Sequence, residues 1–291
     1  MPNPYAWWSC ALLLCMALPL TGQQLPVEAA PSQLDSPAYS LFRPVPKMRL
    51  RPMSTDRPDV TESAYSLDAG HLQVETDVVR FGTRRFGVNT SQEELALNHA
   101  NVKLGLTSRL DVQLVVESYT RQTERPTNRA EPSTYRAGFG DLTLRLKRNL
   151  WGNDGGRSAL AVMPFIKLPT GRSCGNRAWE GGVVVPFALQ LPRDWSLGSQ
   201  LQTTLIRDED SGYNCVELAP TVTVGHDLYK TLGGFVELAG SWDTREQGRS
   251  LTVNGGPIWR VSDNLQLDLG INYPLTADTE TTYFLGVSFR R

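Results

Sequence analysis

Few side chains on this chain are placed to do chemistry. Three histidines, His71, His99 and His226, are scattered, and neither Cys174 nor Cys215 has a His or an acid at ligand spacing, so a metal site has little support. His99, in Asn98-His-Ala-Asn101, is the candidate general base for a lipid hydrolase built into a barrel wall, but no nucleophile with a recognisable motif accompanies it. Gly152-Asn-Asp-Gly-Gly156 reads as a turn and not as a phosphate cradle, because no strand-then-helix context surrounds it. No catalytic, cofactor-binding or metal-ligating residue is assigned, and no cofactor is expected. The most organised polar cluster is Asp56-Arg57-Pro58-Asp59. Its Pro fixes a turn, its Asp side chains can cap local backbone groups, and Arg57 is left to pair with an acid elsewhere, such as Glu75 or Glu237.

The elements that must position these residues begin with a leader. Met1 to Leu20 carries an apolar run of signal-peptide length, shorter than the ~20 residues of a spanning helix, and Thr21-Gly22 follows it, so residues 1–30 are read as an export signal cut between about 22 and 30. Cys10 and Cys15 leave with it. Cys174 and Cys215 remain as an even pair in an exported chain, both near one external rim, and a disulfide between them is expected. Residues 31–69, rich in Pro, Ser and Arg without period, form a periplasmic linker or a lumen plug, and composition does not choose between them. The formal net charge of -1, with no long basic or acidic block, excludes nucleic acid as a partner.

From Gly70 onward the sequence alternates in polarity over stretches of about ten residues separated by turn formers. In Leu265 to Tyr273 the odd positions are apolar and the even positions are Gln266, Asp268, Gly270 and Asn272. About twelve strands follow, near 70–81, 93–107, 110–121, 135–149, 157–168, 181–191, 195–207, 213–226, 233–243, 250–261, 265–273 and 281–290. Tight turns such as Thr107-Ser-Arg109 alternate with long connections near 82–92, 121–134 and 169–180, as in a barrel with short periplasmic turns and long external loops. The expected fold is an all-β, transmembrane, antiparallel up-and-down barrel over residues 70–291.

Parity assigns Glu75, Asp77, Lys103, Glu117, Asp141, Arg145, Lys147, Lys167, Glu217, Glu237, Arg260 and Asp268 to the lumen. Their mixed signs do not indicate a strongly ion-selective pore. Trp195, Trp259 and Phe289 mark one aromatic girdle and Trp242, Tyr273 and Tyr283 the other, whereas Phe81, Tyr119 and Tyr135 fall on the polar parity. Pro164, Pro186, Pro220 and Pro257 lie inside strands that have no edge to hide them, so bulges or shifted boundaries are expected there.

The run Met53-Ser-Thr-Asp-Arg-Pro-Asp-Val-Thr-Glu62, followed by Gly70-His-Leu-Gln-Val-Glu75, resembles an outer-membrane transporter family named for a MetA pathway of phenol degradation. Gly138-Phe-Gly-Asp-Leu-Thr-Leu144, Phe165-Ile-Lys-Leu-Pro-Thr-Gly171 and Tyr283-Phe-Leu-Gly-Val-Ser-Phe289 agree with it. The resemblance implies an outer-membrane channel for small solutes, aromatic or hydrophobic compounds among them, and adds no catalytic residue. Its partners would be outer-membrane lipid, the solute, and the barrel-assembly machinery of a Gram-negative cell. Such barrels usually end on an aromatic, but here Arg290 and Arg291 follow Phe289. A non-conducting structural or adhesive barrel is the alternative, and a lipid hydrolase a more distant one.

Overall fold

The computed structural model describes residues 39–86, 90–126, 132–207, 212–244, 249–277 and 279–291. The export signal expected over residues 1–30, with its expected cleavage between about 22 and 30, lies outside them.

Among the described residues thirteen strands follow one short 3-10 turn, Lys47–Arg49. They are β1 (Leu72–Phe86), β2 (Thr90–Thr107), β3 (Leu110–Pro126), β4 (Thr134–Gly138), β5 (Leu142–Trp151), β6 (Ser158–Leu168) and β7 (Glu180–Gln190). The rest are β8 (Trp195–Arg207), β9 (Asn214–Tyr229), β10 (Leu232–Asp243), β11 (Arg249–Ser262), β12 (Leu265–Pro274) and β13 (Thr281–Arg290). Every pairing is antiparallel, β13 pairs with β1, and β2 pairs with β3, so twelve strands close into a cylinder with β4 as an extra piece. β4 and β5 share one partner: β3 pairs β4 through Thr120–Glu124 and β5 through Leu110–Val116. The strand expected at 135–149 is therefore present, broken at Phe139-Gly-Asp141.

The wall is inside-out relative to a soluble sandwich. On β13, Thr282, Phe284, Gly286, Ser288 and Arg290 are buried while Tyr283, Leu285 and Phe289 are exposed. Gln73, Glu75, Lys103, Gln113, Lys147, Asn149, Glu237 and Asn254 are among the most deeply buried side chains, and Leu201, Leu205, Val236 and Leu269 among the exposed ones. Only a lipid-facing exterior makes that distribution favourable. Among the described residues no helix is long and apolar enough to cross a membrane, which leaves the strands to do it.

The four prolines need neither bulges nor moved boundaries. Each removes two rungs from one ladder while the register on both sides of the gap is unchanged. Pairing skips from Arg145↔Phe165 to Arg148↔Val162 around Pro164, and from Leu160↔Phe187 to Met163↔Val184 around Pro186. It skips from Ala239↔Thr221 to Trp242↔Leu218 around Pro220, and from Gly255↔Ile271 to Ile258↔Asp268 around Pro257. The opposite neighbour stays paired in every case, for example Pro220 with Leu201 and Pro257 with Gly234. A missing N–H is lost from one side of a strand only.

A second irregularity corrects the girdle. β1 carries an extra residue, Val78, against β13, since Asp77 pairs Gly286 and Val79 pairs Leu285. At the same level Asn98 on β2 adopts φ 53°, a left-handed conformation that Asn tolerates, and its carbonyl accepts a bond from the Ser118 hydroxyl of β3. Beyond this level parity reverses: buried Ala96 faces buried Thr120, and Phe81 aligns with outward Tyr283. Phe81 and Tyr119 are thereby exposed on the outer face beside Tyr283, and they join the external girdle that strict alternation denied them.

Two of the connections expected to be long are taken up in part by strand. β1, β2 and β3 run on through 82–86, 90–92 and 121–126, and at 83–85, 90–92 and 121–125 every side chain is polar, as at the Arg125–Glu93 pair. The alternation that marks a strand disappears once the outer face leaves lipid, so these stretches read as loops.

Candidate functional site: a threaded segment in the lumen

Residues 51–68 enter the cylinder and turn back, since Arg51 and Asp68 at the two ends pair at 2.7 Å, and between them the segment bonds to strands all around the wall. Arg57, joined to Pro58 by a cis peptide bond, places Nη1 2.5 Å from Asp77 of β1 and Nη2 2.7 Å from Asp268 of β12, with its guanidinium 5.4 Å from the Phe284 ring centroid. The partners expected for it, Glu75 and Glu237, are occupied otherwise. Glu75 accepts the Asp56 backbone N–H at 2.9 Å and pairs with Lys103. Glu237 accepts the N–H groups of Val60 and Thr61 at 2.9 and 2.7 Å, the Thr61 hydroxyl at 2.6 Å and the Asn254 amide at 2.7 Å. The Glu237 carboxylate takes two successive backbone N–H groups, while the Arg57 guanidinium is already held by two other acids.

The remaining anchors continue the ring. Asp56 pairs with Lys103 of β2 and, at 2.6 Å, with Lys147 of β5. Burial alone would raise the Asp56 carboxyl, but these two cations hold it well below the usual carboxylate range. Glu62 pairs with Arg145 at 2.5 Å, and its N–H donates to Gln200 of β8 at 2.7 Å. Asn149 donates to the Ala64 carbonyl, Asp111 of β3 accepts the Leu67 N–H, and Asn153 accepts the Ser66 N–H. Gly286 on β13 makes room for the segment, because a Cβ there would overlap the Arg57 guanidinium. At the end of the barrel that carries the tight turns Arg290 donates to the Arg51 carbonyl at 2.8 Å and lies 3.6 Å from Asp68. That explains the terminal departure: Arg290 points inward to the segment, and Phe289 is the last outward aromatic.

Asp59 differs from its neighbours. It belongs to the threaded segment, no cation pairs with it among the described residues, and burial together with the Glu237 carboxylate pushes its carboxyl up to about 8. The same causes, burial and then Asp56, raise Glu62 to about 7.

The parity-assigned wall residues separate into groups. Glu75, Lys103, Asp141, Lys147, Glu237 and Asp268 are buried in the interior, and Asp77, Glu117, Arg145, Lys167 and Glu217 are partly buried. Arg260 is exposed and pairs with Asp227 at 2.7 Å. Asp141 receives the N–H groups of Gly171 and Asn176, which draws the connection between β6 and β7 inward; Lys167 pairs with Glu180 there at 2.5 Å. That inward fold also sets the cysteines. Cys174 and Cys215 are not joined: the Cys174 thiol donates to the Thr120 carbonyl of β3 at 3.3 Å, whereas Cys215 is buried on β9 opposite Ile206, five wall strands away. His99 lines the lumen and its Nε2 is 3.0 Å from the Thr120 hydroxyl, not on the lipid-facing wall. Sequence reading missed Glu62, Asp111, Gln200 and Asn149. Parity on β3 could have found Asp111, but nothing periodic marks Glu62.

Two chambers flank the segment. One of about 420 Å³ is lined by Asp59, Val60, Arg80, His99, Glu117 and Phe284, and one of about 710 Å³ by Met53, Tyr65, Asn153, Ile258, Arg260 and Gln266. A third cavity of about 770 Å³ lies at the Pro220 gap between β9 and β10, where lumen-side Thr221 meets outward Val222, Leu238 and Trp242.

With this geometry in place the comparisons decide the family. The family model described as "Putative MetA-pathway of phenol degradation" matches residues 55–290, from the threaded motif to the last strand. The chain belongs to that family. No curated protein matches it. Among solved structures it is similar to the COG4313 outer membrane channel from Pseudomonas putida F1, with 14% identity, a TM-score of 0.54, and coverage of 82% of this chain and 99% of that one. It is also similar to the NanC porin, at 11% identity and a TM-score of 0.48 over 74% of this chain and 98% of that one. The first of these shows a shared barrel fold.

Proposed function

We propose that the protein is an outer-membrane channel for small solutes, aromatic and other hydrophobic compounds among them, narrowed by its own segment 51–68. The observation that carries this reading is a polar-lined cylinder whose interior is divided into chambers of about 420 and 710 Å³ by a single threaded segment. The cavity at the Pro220 gap, where apolar outward residues adjoin a lumen threonine, supports hydrophobic compounds as cargo. Export through the periplasm with residues 1–30 as signal, and insertion by the barrel-assembly machinery, belong to the same reading. Phe289 on the outer face of the last strand is the aromatic that machinery would meet.

The role is passage and not hydrolysis. A wall hydrolase needs its base on the lipid side, and His99 faces the lumen. The ion pairs that hold the segment favour a second reading, a barrel kept shut for a structural purpose. Planar-bilayer recording together with liposome swelling across graded small aromatics and sugars separates the two. A small conductance with uptake limited to small solutes is expected, and a silent, impermeable protein would select the closed barrel.

A further inference from the structure

The chain just before the threaded segment has a surface that the channel reading does not use. Phe42 and Met48 are 94% and 99% exposed, among the most exposed large apolar side chains of the molecule. Exposed Arg43, Lys47 and Arg49 are interleaved with them, and the sequence has no acidic residue between Asp35 and Asp56. Arg49 reaches only the Tyr39 hydroxyl, at 3.2 Å, and no ion pair engages Arg43, Lys47 or Arg49 among the described residues.

This stretch is fixed in position. Ser40 bridges Thr107, Leu41 donates to the Leu106 carbonyl at 2.8 Å, Val45 donates to the Ala69 carbonyl at 3.0 Å, and the Val45 carbonyl meets His71 Nε2 at 2.7 Å. The anchor point is where the wall leaves the lipid. Leu104 pairs with exposed Leu72, and Leu106 is the next residue on the same face of β2, just before the turn into β3. Large apolar side chains mixed with cations, held at the edge of a lipid-facing surface, are the arrangement by which a segment lies on an anionic membrane.

We propose that residues 42–49 form an interfacial foot that docks on anionic phospholipid headgroups beside the periplasmic end of the barrel, inserting Phe42 and Met48 and pairing Arg43, Lys47 and Arg49 with phosphate. Continuity with the lipid-facing wall and the unpaired positive charge favour lipid over an acidic protein as the occupant. The foot precedes residue 51 directly, so its docking would hold the entry of the threaded segment in place. The inference rests on the barrel's residence in a membrane and not on conduction.

The test uses the folded full barrel in nanodiscs of phosphatidylcholine alone or mixed with phosphatidylglycerol. Met48→Cys in a Cys174→Ser, Cys215→Ser background carries an environment-sensitive fluorophore, and brominated lipid serves as quencher. Each basic side chain near an anionic surface strengthens association about fivefold. Quenching is expected in phosphatidylglycerol discs, with several-fold loss on adding salt or on the triple change Arg43→Gln, Lys47→Gln, Arg49→Gln. Heat-modifiable gel mobility verifies that each variant is folded. A label that stays in water in both lipids overturns the proposal, as does quenching indifferent to salt and to the triple change. Shielding that appears only on addition of an acidic periplasmic protein overturns it in favour of a protein partner.

Discussion

Arg57 and Asp268 are 211 residues apart in sequence and share a 2.7 Å ion pair in the middle of the barrel. With Asp77 on the other side of the guanidinium, this contact links the threaded segment to β1 and β12 at once. Replacing Arg57 with Ala leaves two inward carboxylates uncompensated and should weaken docking of the segment by about 3 kcal/mol. Single-channel conductance should rise and become noisier. Gly286→Ala, which crowds the same guanidinium without removing a charge, should act in the same direction; unchanged conductance in both variants would show that the segment does not limit the pore.

Glu237 makes four hydrogen bonds, three of them to the segment. Glu237→Gln retains the shape but forfeits charge-assisted acceptance, a loss of about 1.5–3 kcal/mol. Cleavage after Glu62 by a glutamyl endopeptidase should be slow in the folded wild type and clearly faster in this variant.

Asp59 gives a pH dependence of defined sign. Its carboxyl titrates near 8 when the segment is docked and near the ordinary carboxylate value of 3.8 when it is released into water. Docking is therefore strongest below about 4 and is lost progressively as pH rises through 8, because the released state ionises first. Protease sensitivity and conductance should both grow from pH 5 to pH 9 in the wild type, and Asp59→Asn should flatten this trend.

The cysteines should behave as independent thiols. Reducing and non-reducing gels of the folded protein should match. N-ethylmaleimide should label part-exposed Cys174 before buried Cys215, and slowly at neutral pH, since burial raises the Cys174 thiol above its usual value.

Pro220 leaves two rungs open between β9 and β10. Pro220→Val restores a donor and should stabilise the barrel by about 0.5–1.5 kcal/mol, read as a higher melting temperature. If the cavity beside it admits hydrophobic solutes, their uptake should fall in this variant while small sugars are unaffected.

The strand number of the closed wall and most strand limits were legible because lipid outside and polar groups inside impose a period of two on membrane-crossing stretches. Where that cause stops, so does legibility. The tops of β2 and β3 have water on both faces and read as loops, and the parity reversal at Val78 and Asn98 hid Phe81 and Tyr119 from the girdle. The threaded segment obeys no period. Its motif could be singled out from Asp56 to Asp59, but Arg57's choice of Asp77 and Asp268 follows from a path through the lumen that only the folded chain defines. The cysteine pairing failed for a related reason: Asp141 pulls the connection bearing Cys174 across the mouth, away from β9.

The unequal strand lengths shape how a molecule arrives from outside. β2 and β3 have 18 and 17 residues, whereas β12 and β13 have 10 each. Only β1 separates these two pairs of strands, and it runs on from Thr83, its last partner on β13, to Phe86 beside β2, so the outer rim steps down within a few residues from β2 and β3 to β13 and β12. For a channel of the kind proposed, a molecule approaching that mouth meets the taller β2–β3 edge before the lower β12–β13 edge.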